Sequence, residues 1–215
     1  SQPSPGDFRR QYQFLNTHYR SIISIHIPQK LSGTLQSANT AMKRIPNGKI
    51  TIIDSLSISV GQGLIATYAA KLVNKGMDHN RVVDKINKVI NRTTLYASVN
   101  DLSYGVKGGR IPKSKQIISN LLNIRPVLST GGDGSMKVAG ILFGSKNRNK
   151  KLTTLIMKQH DVNHDYNISV AHSECIDDAK QLVSLLKEKF HKVQEIPIFE
   201  LGCALGVHTG PGSLV

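Results

Sequence analysis

The sequence predicts an α/β protein of two lobes, the first built on a parallel sheet and the second on a mixed sheet. In the first lobe, β-branched runs at residues 21–27 and 49–54 are each followed by a polar loop and an amphipathic stretch. This repeated strand–loop–helix order is typical of parallel strands joined by right-handed crossovers. The pattern then becomes mixed and includes a hairpin signal, so we divide the chain into residues 1–77 and 78–215.

The helices of the first lobe are predicted from apolar residues that recur every three to four positions, as Phe8, Tyr12 and Leu15 do. Pro28 ends the first strand, and Gly76 is a suitable C-cap for the last helix of the lobe. The predicted helices cover residues 6–19, 35–44 and 63–76.

The second lobe is predicted to mix helices with strands of both directions. Residues 131–135 (GGDGS) form the turn of a hairpin, and residues 167–190 form a strand, a loop and a helix with Ser173 as its N-cap. The other predicted elements are helices over 78–92, 115–123 and 146–160, and strands over 93–99, 124–130, 138–143, 194–201 and 204–209.

Composition limits the classes of partner. The 28 Lys and Arg residues against 14 Asp and Glu residues give a formal charge of +14, which suits nucleic acid, an anionic membrane surface or an acidic protein. We interpret the densest basic run, residues 146–151, as a solvated turn, and no nucleic-acid-binding motif accompanies it, so no nucleic-acid partner is expected.

The cellular setting is predicted from cysteine usage and hydropathy. Cys175 and Cys203 match neither a metal-binding nor a CxxC pattern, which indicates a reducing compartment. No apolar run approaches the roughly 20 residues of a membrane helix. We expect a cytoplasmic monomer without metal or cofactor, whose contacts with membranes would be peripheral.

The loop LSGT, residues 31–34, places two hydroxyls and a glycine just before a predicted helix. Helix-start amides carry partial positive charge, Gly33 allows a ligand to approach the backbone, and the hydroxyls of Ser32 and Thr34 can donate hydrogen bonds to an anion. Ser32 or Thr34 could instead simply cap the helix. The loop is therefore either an anion site or a helix cap.

Three further motifs each have a functional and a structural interpretation. GQGLIA (61–66) matches a dinucleotide fingerprint but does not follow a strand directly, so we interpret it as packing at a helix start. HDVNHD (160–165) favours a solvated turn over a metal site. Arg110 in KGGRI could bind an anion or lie exposed in a turn, and the sequence does not decide between the two.

A catalytic set could be assembled from Ser32, His208 and Asp54, but a chain this rich in serine offers many such sets. His208 lies in GVHTGPGSLV, which taken alone is a glycine-rich turn that contains a histidine.

Six motifs taken together resemble, in order and spacing, the DegV family of bacterial fatty-acid-binding proteins. The resemblance covers nearly the whole chain. The motifs are SQPSP at the start, LSGTLQSA at 31–38, IDSLSISVGQG at 53–63, KGGRI at 107–111, NIRPVL at 123–128 and HTGPGSL at 208–214.

The resemblance implies a DegV-like fold of two lobes that enclose one long-chain fatty acid, with a fatty acid kinase as the partner that phosphorylates its carboxylate. The protein itself would be a carrier and not an enzyme. Ser32 would contact the carboxylate and His208 would lie beside it. The other residues assigned to the ligand site are Gly33, Thr34, Ser1 and Thr209, and Arg110 would contact the partner or an anion.

The chain also departs from the family pattern. Members usually carry a further segment before SQPSP, with the first strand and helix and a carboxylate-binding threonine, so the first lobe is expected to be truncated, with Ser1 as the nearest remaining hydroxyl. KVAGIL also replaces a KVR-like stretch. The alternatives are a Ser/His-dependent lipid hydrolase or acyl transferase, and a basic nucleic-acid-binding protein.

Overall fold

The computed structural model describes residues 2–112, 124–144 and 146–215 and forms two compact units. Unit 1 comprises residues 1–94 and 130–135, and unit 2 comprises residues 95–129 and 136–215. The described elements are α1 Pro5–His18, β1 Ile22–His26, α2 Thr34–Met42, β2 Ile50–Asp54, α3 Ser59–Asn74, α4 His79–Ile90, β3 Ala97–Ser98, α5 Ser103–Lys107, β4 Ile124–Thr130, β5 Met136–Phe143, α6 Arg148–Met157, β6 Val170–His172, α7 Ile176–Lys189, β7 Ile198–Glu200 and α8 Cys203–Thr209.

Unit 1 contains a parallel pair of strands covered on both faces. β1 and β2 pair in register from Ile22 opposite Ile50 to His26 opposite Asp54. Side chains alternate between the faces, because successive residues of a strand point to opposite sides. Ile22, Ile50 and Ile52 pack with α1 and α2. Ile23, Ile25 and Ile53 pack instead with α3 and α4. The predicted parallel sheet is confirmed.

Unit 1 extends beyond the predicted boundary at residues 77 and 78. Asp78 caps α4 by accepting a hydrogen bond from the Arg81 N–H. The apolar face of α4, with Val82 and Ile86 fully buried, packs in the same cluster as Ile65 of α3. Because α4 buries its apolar face in this cluster, the compact unit runs to residue 94.

Unit 2 contains the mixed sheet that the sequence predicts. β3 pairs antiparallel with β4, β5 lies on the other side of β4, and β6 pairs in parallel with β7. Leu214 joins the two groups of strands, since it forms antiparallel bridges with Ser98 of β3 and with His172 of β6. The segment that follows His208 is therefore part of the sheet.

The predicted helices α6 and α7 cover the largest core cluster of unit 2, which includes Leu152, Leu186 and Phe190. The predicted N-cap of α7 is wrong. Cys175 occupies that position without a side-chain cap, whereas the Ser173 N–H donates to the Ser213 carbonyl and belongs to the sheet edge.

The strand predicted over residues 204–209 is also wrong, because residues 203–209 form helix α8. Gly202 enters it in an extended conformation, and the Gly206 and Gly210 N–H groups donate to carbonyls four residues earlier. α3 begins at Ser59 and so includes the GQG motif in its first turns, where Gly61 is buried and Gly63 is exposed. The helix predicted over residues 115–123 lies outside the described residues.

Candidate functional site

The LSGT loop follows β1 and leads into α2 in unit 1. The Ser32 and Thr34 hydroxyl oxygens lie 2.8 Å apart and share a hydrogen bond, and Ser32 Oγ also accepts from the Thr34 N–H at 3.3 Å. Gly33 is the N-cap of α2 and gives the helix no side-chain cap. Ser32 thus satisfies one amide at the helix start, and a pair of hydroxyls remains at the positive end of α2.

Gln2 lies against this loop and was not among the predicted site residues. A Cβ atom added at Gly33 would come within 2.7 Å of Gln2 Nε2. A side chain at position 33 would therefore displace the end of the Gln2 side chain, which belongs to the SQPSP segment. The only sequence signal for Gln2 is its place in that motif.

Asp54 ends β2 and holds two loops through backbone hydrogen bonds. Its carboxylate accepts from the Gln29 N–H at 3.1 Å and from the Leu56 N–H at 2.9 Å. These bonds account for both carboxylate oxygens. The geometry gives Asp54 the role of fixing the loops at the carboxyl ends of β1 and β2, which is where ligands bind to parallel sheets.

The loop after β2 buries two serines. Ser55 Oγ donates to the Ser57 carbonyl at 2.8 Å, whereas Ser57 Oγ is buried and has no hydrogen-bond partner among the described residues. Leu56 and Ser59 adopt positive φ angles of 50° and 52°. A buried hydroxyl without a partner is unusual in proteins. Ser57 is a second residue that sequence reasoning missed, although it belongs to the IDSLSISVGQG motif.

A chain of hydrogen bonds runs behind these loops from α1 to the end of β1. Ser24 Oγ lies 2.7 Å from the Tyr12 hydroxyl and 2.7 Å from His26 Nε2. Burial lowers the pKa of His26, and the charge of Asp54 offsets part of this effect. The lowered pKa favours the neutral form of His26. Through Ser24, His26 at the end of β1 is connected to the Tyr12 hydroxyl of α1.

His208 lies near the end of α8 in unit 2 and packs on the KGGRI turn. A Cβ atom added at Gly108 would lie 2.0 Å from His208 Nδ1, so the ring occupies the space that any side chain at position 108 would need. His208 Nδ1 is buried and has no hydrogen-bond partner within the described part of the chain. Burial lowers the pKa of His208, and the positive charge of Arg110 lowers it further.

Arg110 is exposed and turns back onto the same segment. One guanidinium nitrogen donates to the Gly108 carbonyl at 2.7 Å. Arg110 and His208 therefore share one neighbourhood in unit 2.

The loop after His208 is fixed by glycines. Gly210 has a φ of 72°, and a Cβ atom there would meet the ring of Tyr104 at 2.6 Å. Thr209 Oγ1 donates to the Leu205 carbonyl at 3.3 Å, which uses the hydroxyl proton within α8. This geometry leaves Thr209 as an acceptor and does not favour it as a donor to a carboxylate.

The buried side chain of Arg148 forms hydrogen bonds with the loop that follows His208. Arg148 on α6 donates to the Gly212 carbonyl at 2.8 Å and to Asn100 Oδ1 at 2.9 Å, and its other terminal nitrogen lies 2.7 Å from Asp178. Arg125 also donates to Asn100 Oδ1. These contacts fix the glycine loop that begins after His208.

The structure therefore groups the predicted residues within each unit. Ser32, Gly33 and Thr34 lie together in unit 1, and His208, Thr209 and Arg110 lie in unit 2. Ser1 lies outside the described residues.

The HDVNHD turn provides no metal centre. His164 pairs with Asp161 at 3.0 Å, and His160 Nε2 lies 2.9 Å from the Tyr96 hydroxyl. Among the residues that the structure describes, no three His, Cys, Asp or Glu side chains are grouped closely enough to bind a metal ion. Asp161 and His164 are exposed, whereas His160 is half-buried against the rings of Tyr96 and Tyr166. Across the part of the chain that the structure describes, no helix has the length and hydropathy of a membrane span.

The fold and these loops define a class of α/β protein in which polar loops follow parallel strands and a mixed sheet carries a glycine-rich loop. The sequence profile described as "Uncharacterised protein, DegV family" matches residues 1–215. The chain belongs to the DegV family.

Known relatives match over the whole chain. A DegV domain-containing protein of Staphylococcus aureus is 31% identical over 217 residues, covering 100% of this chain and 76% of the relative. A solved structure named for the fatty acid binding of a DegV family protein from Thermus thermophilus is 30% identical, with a TM-score of 0.87 over 100% of this chain and 76% of its own. A fatty acid binding DegV family protein from Streptococcus agalactiae is 29% identical, with a TM-score of 0.88 over 100% of this chain and 75% of its own.

Proposed function

We propose that the protein binds one long-chain fatty acid as a non-enzymatic carrier. The observation that carries the proposal is the similarity over the whole chain to two solved DegV proteins named for fatty acid binding, at 30% and 29% identity. Burying an acyl chain of about sixteen carbons contributes about 10 kcal/mol before the entropy of binding is counted. A buried carboxylate without partners would cost several kcal/mol, so the site must supply donors.

We propose Ser32 and His208 as the principal donors. When the Ser32 and Thr34 hydroxyls share one hydrogen bond, the hydroxyl that accepts still has its own proton to donate. Gly33 and the start of α2 add backbone donors and a favourable dipole. Ser1 remains a predicted further hydroxyl, and Arg110 a predicted contact for an anion or a partner.

His208 is suited to donate from one particular nitrogen. Its buried Nδ1 has no partner among the described residues and lies against Gly108. A neutral ring with the proton on Nε2 avoids burying an unpaired N–H group at Nδ1. The lowered pKa keeps the ring neutral before the ligand binds. The Nε2–H would then donate to the carboxylate.

The same contacts disfavour the hydrolase or acyl transferase alternative. A triad histidine donates from Nδ1 to a carboxylate, whereas His208 Nδ1 has no such partner in the described chain. The Asp54 carboxylate is bonded to the backbone, and the Ser32 hydroxyl to Thr34. We expect activated-serine probes to leave Ser32 unlabelled, and stoichiometric labelling of Ser32 would support the enzyme instead.

The proposal is tested by mass spectrometry of lipids extracted from the purified protein and by titration with fatty acid. Ser32→Ala and His208→Ala should each weaken binding about ten- to hundred-fold, because each removes a hydrogen bond to a charged group. Ser184→Ala and His164→Ala are matched controls at exposed positions. The carrier function is contradicted if no fatty acid is extracted or taken up. The assignment of Ser32 and His208 as donors is contradicted if all four variants bind fatty acid equally well.

We further propose, from the family resemblance, that a fatty acid kinase phosphorylates the bound carboxylate to an acyl phosphate. The test combines the loaded protein with ATP and a fatty acid kinase from the same organism and measures acyl phosphate. Binding without product would contradict this step alone and leave the carrier function intact.

A further inference from the structure

Arg125 of the NIRPVL motif lies in a row of polar contacts that crosses three segments of unit 2. β3 is antiparallel both to β4 and to the segment at Leu214. Asn100, two residues after β3, therefore comes opposite Arg125 on one side and Gly212 on the other. Arg125 donates to Asn100 Oδ1 at 2.8 Å, and Asn100 Nδ2 donates to the Pro211 carbonyl at 3.3 Å. Two hydrogen bonds thus connect the Arg125 guanidinium to the glycine loop of the HTGPG motif.

Arg125 forms no ion pair with any carboxylate among the described residues. Arg125 and Arg148 donate to the same oxygen, Asn100 Oδ1, but only Arg148 pairs with Asp178. Burial is the main cause that lowers the pKa of Arg125, the positive charge of Arg148 lowers it further, and Asp178 offsets part of the effect. The two arginines therefore bring two positive charges against one negative charge, and an anion at Arg125 would balance the second.

An anion could reach this position from solvent. Asn100 is exposed and Arg125 is partly exposed, whereas Arg148 is buried. The neighbouring Asp101 carboxylate accepts from the Ser103 N–H and hydroxyl. Within the described chain, Arg125 uses one guanidinium nitrogen in a hydrogen bond, so the remaining N–H groups can donate in the planar arrangement that matches phosphate oxygens.

The proposed reaction indicates which anion fits. A fatty acid carboxylate carries one negative charge, which the neutral donors Ser32 and His208 suit. A phosphoryl group carries nearly two negative charges near pH 7 and has three strong acceptor oxygens. Hydroxyls and a neutral imidazole supply hydrogen bonds to this group but no positive charge. A guanidinium connected to the glycine loop after His208 would supply that charge.

We propose that Arg125, together with the Asn100 amide, binds the phosphoryl group of a long-chain acyl phosphate. The inference rests on the proposed carrier function and makes the phosphorylated lipid a second ligand of the same protein. Asn100 Nδ2 still has one proton to donate beyond its bond to Pro211. Arg125 would therefore distinguish the phosphorylated lipid from the free fatty acid.

The test compares hexadecanoate with hexadecyl phosphate, a stable lipid that carries a phosphoryl group, by calorimetric titration of the lipid-free full chain. Arg125→Gln should weaken binding of hexadecyl phosphate about ten- to hundred-fold, because it removes a charged donor to the phosphoryl oxygens. Binding of hexadecanoate should stay nearly unchanged, which also shows that the variant is folded. Arg125→Lys keeps the charge without the planar set of donors, so it should recover only part of the affinity.

Lys187→Gln is the matched control, because it removes one positive charge from an exposed position of α7 in the same unit. It should bind both lipids like the unmodified protein. The inference is overturned if Arg125→Gln weakens binding of both lipids equally or of neither, or if Lys187→Gln loses as much affinity for hexadecyl phosphate. Inorganic phosphate that binds as tightly as hexadecyl phosphate would also overturn it, since the site would then recognise the free ion.

The titration separates this inference from the carrier function. If the unmodified protein binds hexadecanoate and does not bind hexadecyl phosphate, the inference is wrong and the carrier function stands. If it binds neither lipid, the carrier function is contradicted, and the inference that rests on it is overturned as well.

Discussion

Arg148 is a buried cation whose partners come from three other segments of unit 2. Arg148→Ala would leave the Gly212 carbonyl and Asn100 without this donor, and Asp178 without its ion-pair partner. We expect a loss of about 2 to 3 kcal/mol in the free energy of unfolding, below the full effect of breaking a buried pair because Asp178 is half-exposed. Urea unfolding measures the change.

Arg81→Ala is the control for this prediction. The Arg81 guanidinium lies 3.9 Å from Asp78, and both side chains are exposed, so the change should stay within about 0.5 kcal/mol. If the two arginine variants lose equal stability, Arg148 does not stabilise the loop after His208 as its contacts indicate.

Individual residues show how far sequence reasoning reaches. Ser32 can be predicted as a candidate from the sequence, because a hydroxyl between the end of a strand and the start of a helix is a local pattern. The burial of His208 Nδ1 could not be predicted, because it depends on Gly108, which is 100 positions away in the chain. Gln2 and Ser57 were missed for the same reason, since their environment is set by tertiary packing.

At the scale of elements, two glycines in regular structure should respond oppositely to alanine. A Cβ atom at Gly63 in α3 would meet no atom within 4 Å, so Gly63→Ala should stabilise by about 0.5 to 1 kcal/mol through helix propensity. A Cβ atom at Gly140 in β5 would lie 2.1 Å from Leu155 Cδ1, so Gly140→Ala should destabilise by displacing the Leu155 side chain from its packed position. Thermal unfolding of both variants tests this, and destabilisation by Gly63→Ala would contradict the open space around Gly63.

Elements with a strong periodic pattern were predicted well. β1 and β2 alternate isoleucines between two packed faces, and α4 repeats apolar residues on one face. α8 was missed because ALGVHT has two β-branched residues and a glycine, which locally favour a strand. Its helical state depends on how Gly202 and the segment at Leu214 fix its two ends, and that is tertiary information.

At the scale of the whole molecule, four histidines should make the fold sensitive to mild acid. Burial is the main cause that lowers the pKa of His26, His79, His160 and His208. Their unfolded pKa is about 6.5, so below that pH the unfolded chain binds protons that the folded chain resists. The contribution of these neutral histidines to the free energy of unfolding is fully present above about pH 6.5. It is lost as the pH falls from there through the pKa values of the folded state.

Urea unfolding at about pH 7.5 and pH 5.5 tests this dependence. The free energy of unfolding should be smaller at the lower pH, and His26→Asn should reduce the difference. Acidic groups with lowered pKa values, such as Asp101, act only near pH 4 and below, outside this interval. Equal stability at the two pH values would contradict the prediction.

The helix that carries His208 contains no buried residue, whereas the segment after it is bonded on both sides to β3 and β6. Such an arrangement separates local unfolding from global unfolding: α8 can open while the sheet stays intact. In native-state hydrogen exchange, the amides of α8 would exchange well before those of Leu214 and Val215. His208 therefore lies on an element with a low opening free energy, next to one of the best protected parts of unit 2.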